Sequence, residues 1–426
     1  MLPKFSFMPK EKLVAAIDIG SIKISTAVAL VSESKVSVIG VSGKVLSRGI
    51  NKGNVVNIDA AVEAISESIE KAERMAGVSI SSAYVTINGS HIQTQNSHGV
   101  VAVTADDSYE IDHNDVIRVT QAAQAVSLPS TREIIHVIPR DFAVDSQDGI
   151  KDPVGMSGVR LEVETNIIHA SSTAIRNITR CVQHVGVEVE ELVYAGVASA
   201  QGVLTDTEKE LGTILLDFGG GAAAITAFLE GSPVYSCVLP IGARHITNDL
   251  AIGLRTRLED AEEIKLKLSI EKVDALSLSD KNKRLEDFDV SEFNLDVNTV
   301  PRKLLYEIID ARLNEIFRLV ALELSTANLT GKLPAGLVIT GGGSLTTGIE
   351  KMAKQVLKMP VRIGNPKGVT GLIDEIQTPA FAATVGAVLY GVNLEKSTAV
   401  LSTGRSQGNI GSLFSKIINK AKSFLP

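Results

Sequence analysis

Runs of apolar residues that end in glycine-rich bends occur at three places in the chain. The stretch KLVAAIDIGSIKISTAVALV (12–31) holds β-forming residues, a DIG bend with a polar turn, and a second β-rich run. This pattern predicts a strand–turn–strand hairpin. The same order returns in LGTILLDFGGGAAAITAFL (211–229), so each hairpin has one aspartate, Asp18 or Asp217, at its bend. The repetition predicts two related halves, and LVITGGGSLTTGI (337–349) adds a third glycine bend between a strand and a helix.

The segments between these bends have other periodicities. Residues 84–166 predict short strands and turns with one helix near 113–127. Residues 244–329 predict mostly helices, interrupted by a polar loop with an edge strand at 277–298. Both segments therefore read as insertions into the two halves.

The chain ends in GSLFSKIINKAKSFLP (411–426), which has a strong helical period, lysines along or near the edges of its apolar side and no acidic residue. A last core helix and a membrane-surface anchor both fit such a pattern. The polar, aperiodic stretch 395–410 predicts a flexible linker, and this linker together with the one-signed charge favours the anchor. The side chains expected at the membrane are Leu413, Phe414, Lys416, Ile417, Ile418, Lys420, Ala421, Lys422, Phe424 and Leu425.

Composition narrows the function classes. A chain of 426 residues exceeds one compact core, so two or more domains are expected. A formal net charge of -7 argues against a general nucleic-acid binder, which needs a basic surface. No stretch supplies the roughly 20 apolar residues that cross a bilayer. Cys181 and Cys237 are too few for a disulfide framework and predict free thiols in a reducing compartment, which favours the cytoplasm.

The glycine bends suggest phosphate chemistry. Glycine lets backbone N–H groups approach phosphate oxygens closely, and a neighbouring Asp can hold Mg²⁺ directly or through water. A single Asp-Gly bend is more often only a turn. Two such hairpins with a third glycine turn predict a nucleotide site, although the sequence contains neither a GxxxxGK[ST] loop nor a GxGxxG motif after a strand.

These motifs resemble those of a known superfamily. DIGSIK, DFGGG and ITGGGS are similar to the phosphate-1, phosphate-2 and adenosine motifs of the actin/hexokinase/heat-shock ATPases, and PAFAATVGAVLYG (379–391) resembles their closing helix. Within this superfamily, GIKDPVGMSGVRLEVE (149–164), the AEEIK helix, GNPKGVTGL (364–372) and the C-terminal segment resemble the FtsA family of bacterial cell-division proteins. The resemblance covers nearly the whole chain.

The resemblance implies an α/β fold of the actin-like ATPase type: two RNase H-like halves around a nucleotide cleft, an inserted α+β subdomain and a C-terminal amphipathic helix. It divides the chain into subdomain 1A (1–83, 167–199 and the closing helix 379–394), inserted subdomain 1C (84–166), subdomain 2A (200–243 and 330–378), subdomain 2B (244–329), the linker 395–410 and the membrane helix 411–426.

The resemblance also implies roles for single residues. Asp18 and Asp217 would organise Mg²⁺ through water, and ATP would be the ligand. Glu262 and Lys265, one helical turn apart, would contact the adenosine, although a solvated i,i+3 pair would have the same spacing. The glycine turns would cradle the phosphates and the ribose side through Gly20, Ser21, Lys23, Gly219, Gly220, Gly221, Gly341, Gly342 and Gly343.

Two departures from the superfamily pattern bear on activity. In VYAGVASA the residue that would position the attacking water is Ala195, followed by Gly196. The phosphate-2 turn continues with Ala222 and Ala224, where a Thr hydroxyl and an Asp are usual. Phosphoryl transfer depends on placement and electrostatics, so we expect ATP to bind and to be hydrolysed very slowly.

The implied function is to tether polymers of FtsZ to the cytoplasmic membrane at the division septum, to self-associate into filaments and to help recruit later division proteins. The stretch ARLNEIF (311–317) resembles the surface that takes the FtsZ C-terminal tail, with Arg312 and Glu315 as candidates or as a mere exposed salt bridge. One alternative is an actin-like scaffold of pilus or secretion machinery. The other is a small-molecule kinase, against which the alanines around the phosphate turns argue.

Overall fold

A computed structural model describes residues 12–32, 35–103, 109–270, 287–293 and 295–403. The strands are β1 (Lys12–Ile19), β2 (Lys23–Ser32), β3 (Lys35–Val41), β4 (Val45–Leu46), β5 (Ile50–Asn51), β6 (Asn54–Val55), β7 (Ser82–Ile87), β8 (Gln93–Ala102), β9 (Arg132–Val144), β10 (Gln147–Ile150), β11 (Arg160–Ser171), β12 (Glu188–Tyr194), β13 (Thr213–Phe218), β14 (Ala223–Leu229), β15 (Ser232–Leu239), β16 (Asp287–Asp289), β17 (Thr299–Pro301), β18 (Gly336–Thr340), β19 (Val361–Ile363) and β20 (Thr370–Gly371). The helices are α1 (Ile58–Ala76), α2 (His113–Gln124), α3 (Ser172–His184), α4 (Ala195–Val203), α5 (Asp206–Leu211), α6 (Ala243–Leu254), α7 (Leu258–Ile270), α8 (Arg302–Thr326), α9 (Ile349–Leu357), α10 (Ile373–Ile376) and α11 (Ala382–Thr403).

The two large sheets repeat one pairing pattern. In the first sheet, β1 pairs antiparallel with β2 and parallel with β7. In the second, β13 pairs antiparallel with β14 and parallel with β18. Each sheet continues with a further antiparallel strand on one side, β3 or β15, and a further parallel strand on the other, β12 or β19. The predicted pair of related halves is therefore present.

Alternation along β1 explains how helices cover both faces of the first sheet, since successive side chains of a strand point to opposite faces. Ile17 and its odd-numbered neighbours pack with the apolar sides of α1 and α3. Val14 and Ala16 pack instead with α11. In the second half, Leu216 and the core of its sheet pack against α6, α7 and α8. Both sheets are buried on at least one face by helices, as expected of an α/β protein.

The insertion in the first half is a separate antiparallel sheet in the order β10-β9-β11-β8, covered by α2. Its predicted start at residue 84 is too early, because residues 84–87 lie in β7, which pairs with β1 and β12 in the first sheet. Its predicted end at residue 166 is too early as well, since β11 stays paired with β9 through Ser171. The change of sheet occurs in the turn after Ile87.

The predicted linker 395–410 is wrong in its first part, because α11 continues through Thr403. After Gly391 the next glycine is Gly404, and no proline lies between them. Extending an established helix costs little, so the buried part of α11 can propagate into these polar residues. Residues 404–410, the membrane helix 411–426 and part of the polar stretch 277–298 lie outside the described residues. Within the described part of the chain, no helix has the length and hydropathy required to span a membrane.

Candidate functional site at the two hairpin bends

Asp18 and Asp217 occupy equivalent positions, each the penultimate residue of the first strand of its half. Thr86 Oγ1 donates a hydrogen bond of 2.7 Å to Asp18 Oδ1. Ser199 Oγ donates one of 2.6 Å to Asp217 Oδ2. Thr86 and Ser199 were not predicted, because each shows in the sequence only as a hydroxyl residue within an otherwise apolar run.

The electrostatics of these carboxylates favour a bound cation. Burial raises the pKa of Asp217 to about 6, and the charge of Asp18 acts in the same direction against the Ser199 hydrogen bond. Burial also raises the pKa of Asp18, although Lys23 and Thr86 oppose the shift. Asp217 is buried and Asp18 is half-buried, and the two carboxylates act on one lysine. Removing such charges from water is costly unless they are paired or bind a metal.

Lys23 contacts the closing segment. Its Nζ donates to the carbonyl of Ala380 at 2.5 Å and lies 3.8 Å from the centre of the Phe381 ring. Burial lowers the pKa of Lys23 to about 8, while both aspartates act in the opposite direction. The lysine therefore connects the first hairpin with the turn that precedes α11.

The first two glycine bends are built alike and touch each other. The Gly20 amide donates to the Lys23 carbonyl at 3.0 Å, and the Gly219 amide donates to the Ala222 carbonyl at 3.0 Å. A Cβ atom built on Gly221 would stand only 2.7 Å from Cβ of Ser21. Such close contact requires glycine, because any larger side chain would fill the space between the bends.

The third bend lies against the second hairpin. Gly341 has a φ of 81°, and a Cβ atom there would stand 2.3 Å from Asp217 Oδ1. At Gly343 it would meet the Phe218 ring at 2.5 Å. Gly342 faces Ala380. The structure therefore brings the three predicted bends together around Asp217 and the closing segment.

Glu262 and Lys265 form an ion pair in which the lysine is buried and the glutamate side chain is 42% exposed, so the pair is only partly solvated. Lys265 Nζ donates to Glu262 Oε2 at 2.6 Å and to Thr247 Oγ1 at 2.9 Å, and Thr247 also donates to Glu262. Lys265 is 5% exposed. Thr247 lies on α6, whose first amides donate to the carbonyls of Gly219 and Gly220. The pair is thus linked to the second bend through α6, and its contact with adenosine stays a prediction.

Arg312 on α8 binds a residue that the sequence did not indicate. It donates two hydrogen bonds to Asp249 on α6, at 2.5 and 2.8 Å, and one to Glu315 at 2.6 Å. Such fork-like pairing fixes the guanidinium plane. Because Asp249 lies 63 positions away along the chain, local spacing gives no signal of this contact.

The departures around the bends leave few groups that could orient water. Ala195 and Gly196 begin α4, and a Cβ atom on Gly196 would stand 2.3 Å from Thr226 Oγ1. Ala222 and Ala224 are buried. None of these four residues carries a polar side chain.

Comparison with known proteins gives the family. The family described as "Cell division protein FtsA" matches residues 214–386 of this chain. The family described as "SHS2 domain inserted in FTSA" matches residues 89–169. The FtsA protein of Pseudomonas aeruginosa is 37% identical over 420 residues, covering 96% of this chain and 95% of its own length. The chain belongs to the FtsA family of cell division proteins. FtsA of Bacillus subtilis is 36% identical, and the match covers 90% of this chain and 84% of the relative.

Solved structures with low identity share the fold of this FtsA-family chain. The "PilM-PilN type IV pilus biogenesis complex" matches with a TM-score of 0.60 at 14% identity, covering 89% of this chain and 98% of that chain. Spiroplasma citri MreB5 "bound to AMPPNP" matches with a TM-score of 0.54 at 13% identity, with coverage of 93% and 100%. At these identities the similarity establishes an actin-like fold.

Proposed function

We propose that this chain binds ATP between its two halves and tethers FtsZ polymers to the cytoplasmic face of the cell membrane at the division septum. The observation that supports the nucleotide site best is the contact between the two hairpin bends, where Gly221 meets Ser21 beside the carboxylates of Asp18 and Asp217. Membership of the FtsA family supports the role in division.

The residues around the bends fit ATP and Mg²⁺. The amides of Gly20 and Gly219 already donate within their own bends, so other backbone N–H groups of the glycine bends would meet the phosphate oxygens. Asp18 and Asp217 carry an excess of negative charge that suits Mg²⁺, held directly or through water, and the ion would offset the phosphate charge. Among the described residues, no group of three His, Cys, Asp or Glu side chains converges on a metal position, so water and phosphate would complete the coordination.

ATP acts in this proposal as a ligand that favours self-association into filaments. A single C-terminal helix binds anionic lipid weakly, since its apolar burial must offset the cost of ordering the segment. Several helices on one filament bind much more tightly, because every contact after the first is intramolecular. Assembly thereby converts a weak anchor into an effective one and gathers sites for later division proteins.

Flotation with liposomes that contain anionic lipid tests the proposal. With ATP, the full chain should carry FtsZ to the lipid fraction, and a chain without residues 411–426 should leave FtsZ in solution. A variant with Lys416, Lys420 and Lys422 changed to Glu is the matched control. It keeps the length and the apolar residues of segment 411–426 and changes only its charge. Unchanged flotation of the truncated chain would refute the anchor, and failure to capture FtsZ would refute the tether.

The two alternatives predict other outcomes. A pilus or secretion scaffold would not bind FtsZ. The structural similarity to the PilM-PilN complex concerns the fold alone. A small-molecule kinase would show rapid ATP consumption with a sugar or short acid in a coupled assay. Family membership favours the division protein over both.

A further inference from the structure

The small hairpin of β5 and β6 lies beside both phosphate turns, although its sequence indicates no function. Its tip is Lys52-Gly53, with φ angles of 48° and 80°. The Gly53 amide donates a hydrogen bond of 2.9 Å to Ser21 Oγ in the first bend. A Cβ atom on Gly221, in the second bend, would stand 3.5 Å from Cα of Lys52. The hairpin tip therefore touches both bends at their point of contact.

The other side of the tip is fixed by the turn that leads into the inserted subdomain. A Cβ atom on Gly53 would stand 2.7 Å from the Asn88 carbonyl oxygen and from Cα of Gly89. Gly53 is buried between this turn and Ser21. The backbone of Lys52 is consequently held in place from two sides.

The Lys52 side chain is exposed, and its Cα lies at the contact between the two bends that the proposed nucleotide site assigns to phosphate. Among the described residues, no carboxylate forms an ion pair with it. Lysine carries a compact charge with three donors on a flexible four-carbon stem, and lysines of this kind bind phosphate as point charges. Ala222, which follows Gly221, has no side-chain donor, so the second bend offers phosphate only its backbone.

We propose that Lys52 is a further phosphate-binding residue, which contacts the terminal phosphate of ATP and so distinguishes ATP from ADP. The inference rests on the proposed nucleotide site. The tip of the hairpin spans the junction of both bends, where the outermost phosphate of a nucleotide held by them would lie. The backbone of the tip is preorganised, and only the lysine stem must become ordered on binding.

Nucleotide titration of the full chain in the presence of Mg²⁺ tests this role. Lys52→Ala should weaken ATP binding by about tenfold or more, because a hydrogen bond to a charged group contributes about 1.5–3 kcal/mol. ADP binding should change by less than about threefold, which is under about 0.7 kcal/mol. Lys52→Arg should restore most of the preference for ATP, and Lys52→Gln should not, because it lacks the charge.

Lys358→Ala is the matched control, since Lys358 is also exposed and has a φ of 53°, but caps α9 away from the bends. It should bind ATP and ADP as the wild type does. If Lys52→Ala and Lys52→Gln keep the wild-type ratio of ATP to ADP affinity while the wild type binds both, the role of Lys52 is wrong and the nucleotide site stands. If the wild type binds neither nucleotide, the proposed function itself fails.

Discussion

Gly386 of α11 packs directly on Ala198 of α4: a Cβ atom on Gly386 would stand 1.8 Å from the Ala198 carbonyl oxygen. Ser199, the next residue, holds the Asp217 carboxylate. The approach of two helix backbones thus sets the position of one half of the candidate site.

Gly386→Ala should destabilise the protein by about 2 kcal/mol, because overpacking a tight interface costs about 1–3 kcal/mol. Urea unfolding monitored by circular dichroism measures the change. Gly202→Ala is the control in the same interface, since a Cβ atom there would lie 3.4 Å from its nearest neighbours. That variant should be neutral or more stable by up to about 1 kcal/mol. Equal midpoints for Gly386→Ala and the wild type would contradict the packing argument.

Asp217→Asn should stabilise the ligand-free protein at neutral pH and weaken binding of Mg²⁺ with ATP. The pKa of Asp217 rises from 3.8 to about 6 on folding, so the folded state binds the proton more tightly than the unfolded state. The contribution of this carboxyl to stability is greatest below its unfolded pKa and is lost as pH rises through about 6. Removing the charge should recover up to about 3 kcal/mol at neutral pH.

Thermal unfolding at pH of about 5 and about 7, with and without Mg²⁺ and ATP, measures both effects. The gain in Asp217→Asn over the wild type should be larger at the higher pH, and the stabilisation by ligand should be smaller. Asp148→Asn changes an exposed carboxylate in the inserted subdomain and should do neither. A loss of stability in ligand-free Asp217→Asn at neutral pH would show that burial does not strain this carboxylate.

ATP hydrolysis by the purified chain should be slower than about 1 s⁻¹, the lower end of usual kinase rates. The physical reason is that Ala195, Gly196, Ala222 and Ala224 offer no side chain to position water. Phosphate release at saturating ATP measures the rate, with Asp217→Asn as the background for contaminating enzymes. A faster rate that disappears in Asp217→Asn would contradict the expectation.

Arg312→Ala should weaken binding of the FtsZ C-terminal tail peptide by more than about tenfold, because arginines at interface centres often contribute about 2 kcal/mol or more. Its pairing with Asp249 holds the guanidinium in a defined plane before any partner binds. Fluorescence anisotropy with a labelled peptide measures the affinity. Arg318→Ala removes an exposed arginine from the same helix and should bind normally. Equal affinities in the two variants would exclude Arg312 as the contact.

Short-range patterns in the chain predict much of this fold. Alternating apolar residues and glycine bends define the two hairpins, because each depends on neighbours within about 20 residues. The positions of Asp18 and Asp217 at the hairpin ends follow from the same patterns. The linker prediction was wrong for residues 395–403, because polarity alone does not end a helix that a buried segment has already started.

The repeated hairpins, their aspartates, the glycine bends and the departures at Ala195 and Ala222 all follow from short stretches of the chain. Folding brings Ser21 to Gly221, Ser199 to Asp217, and the Lys52 backbone to the junction of the two bends. These contacts join residues far apart in the chain. Their distances depend on how two sheets and the helices between them pack, which no local spacing of residues encodes.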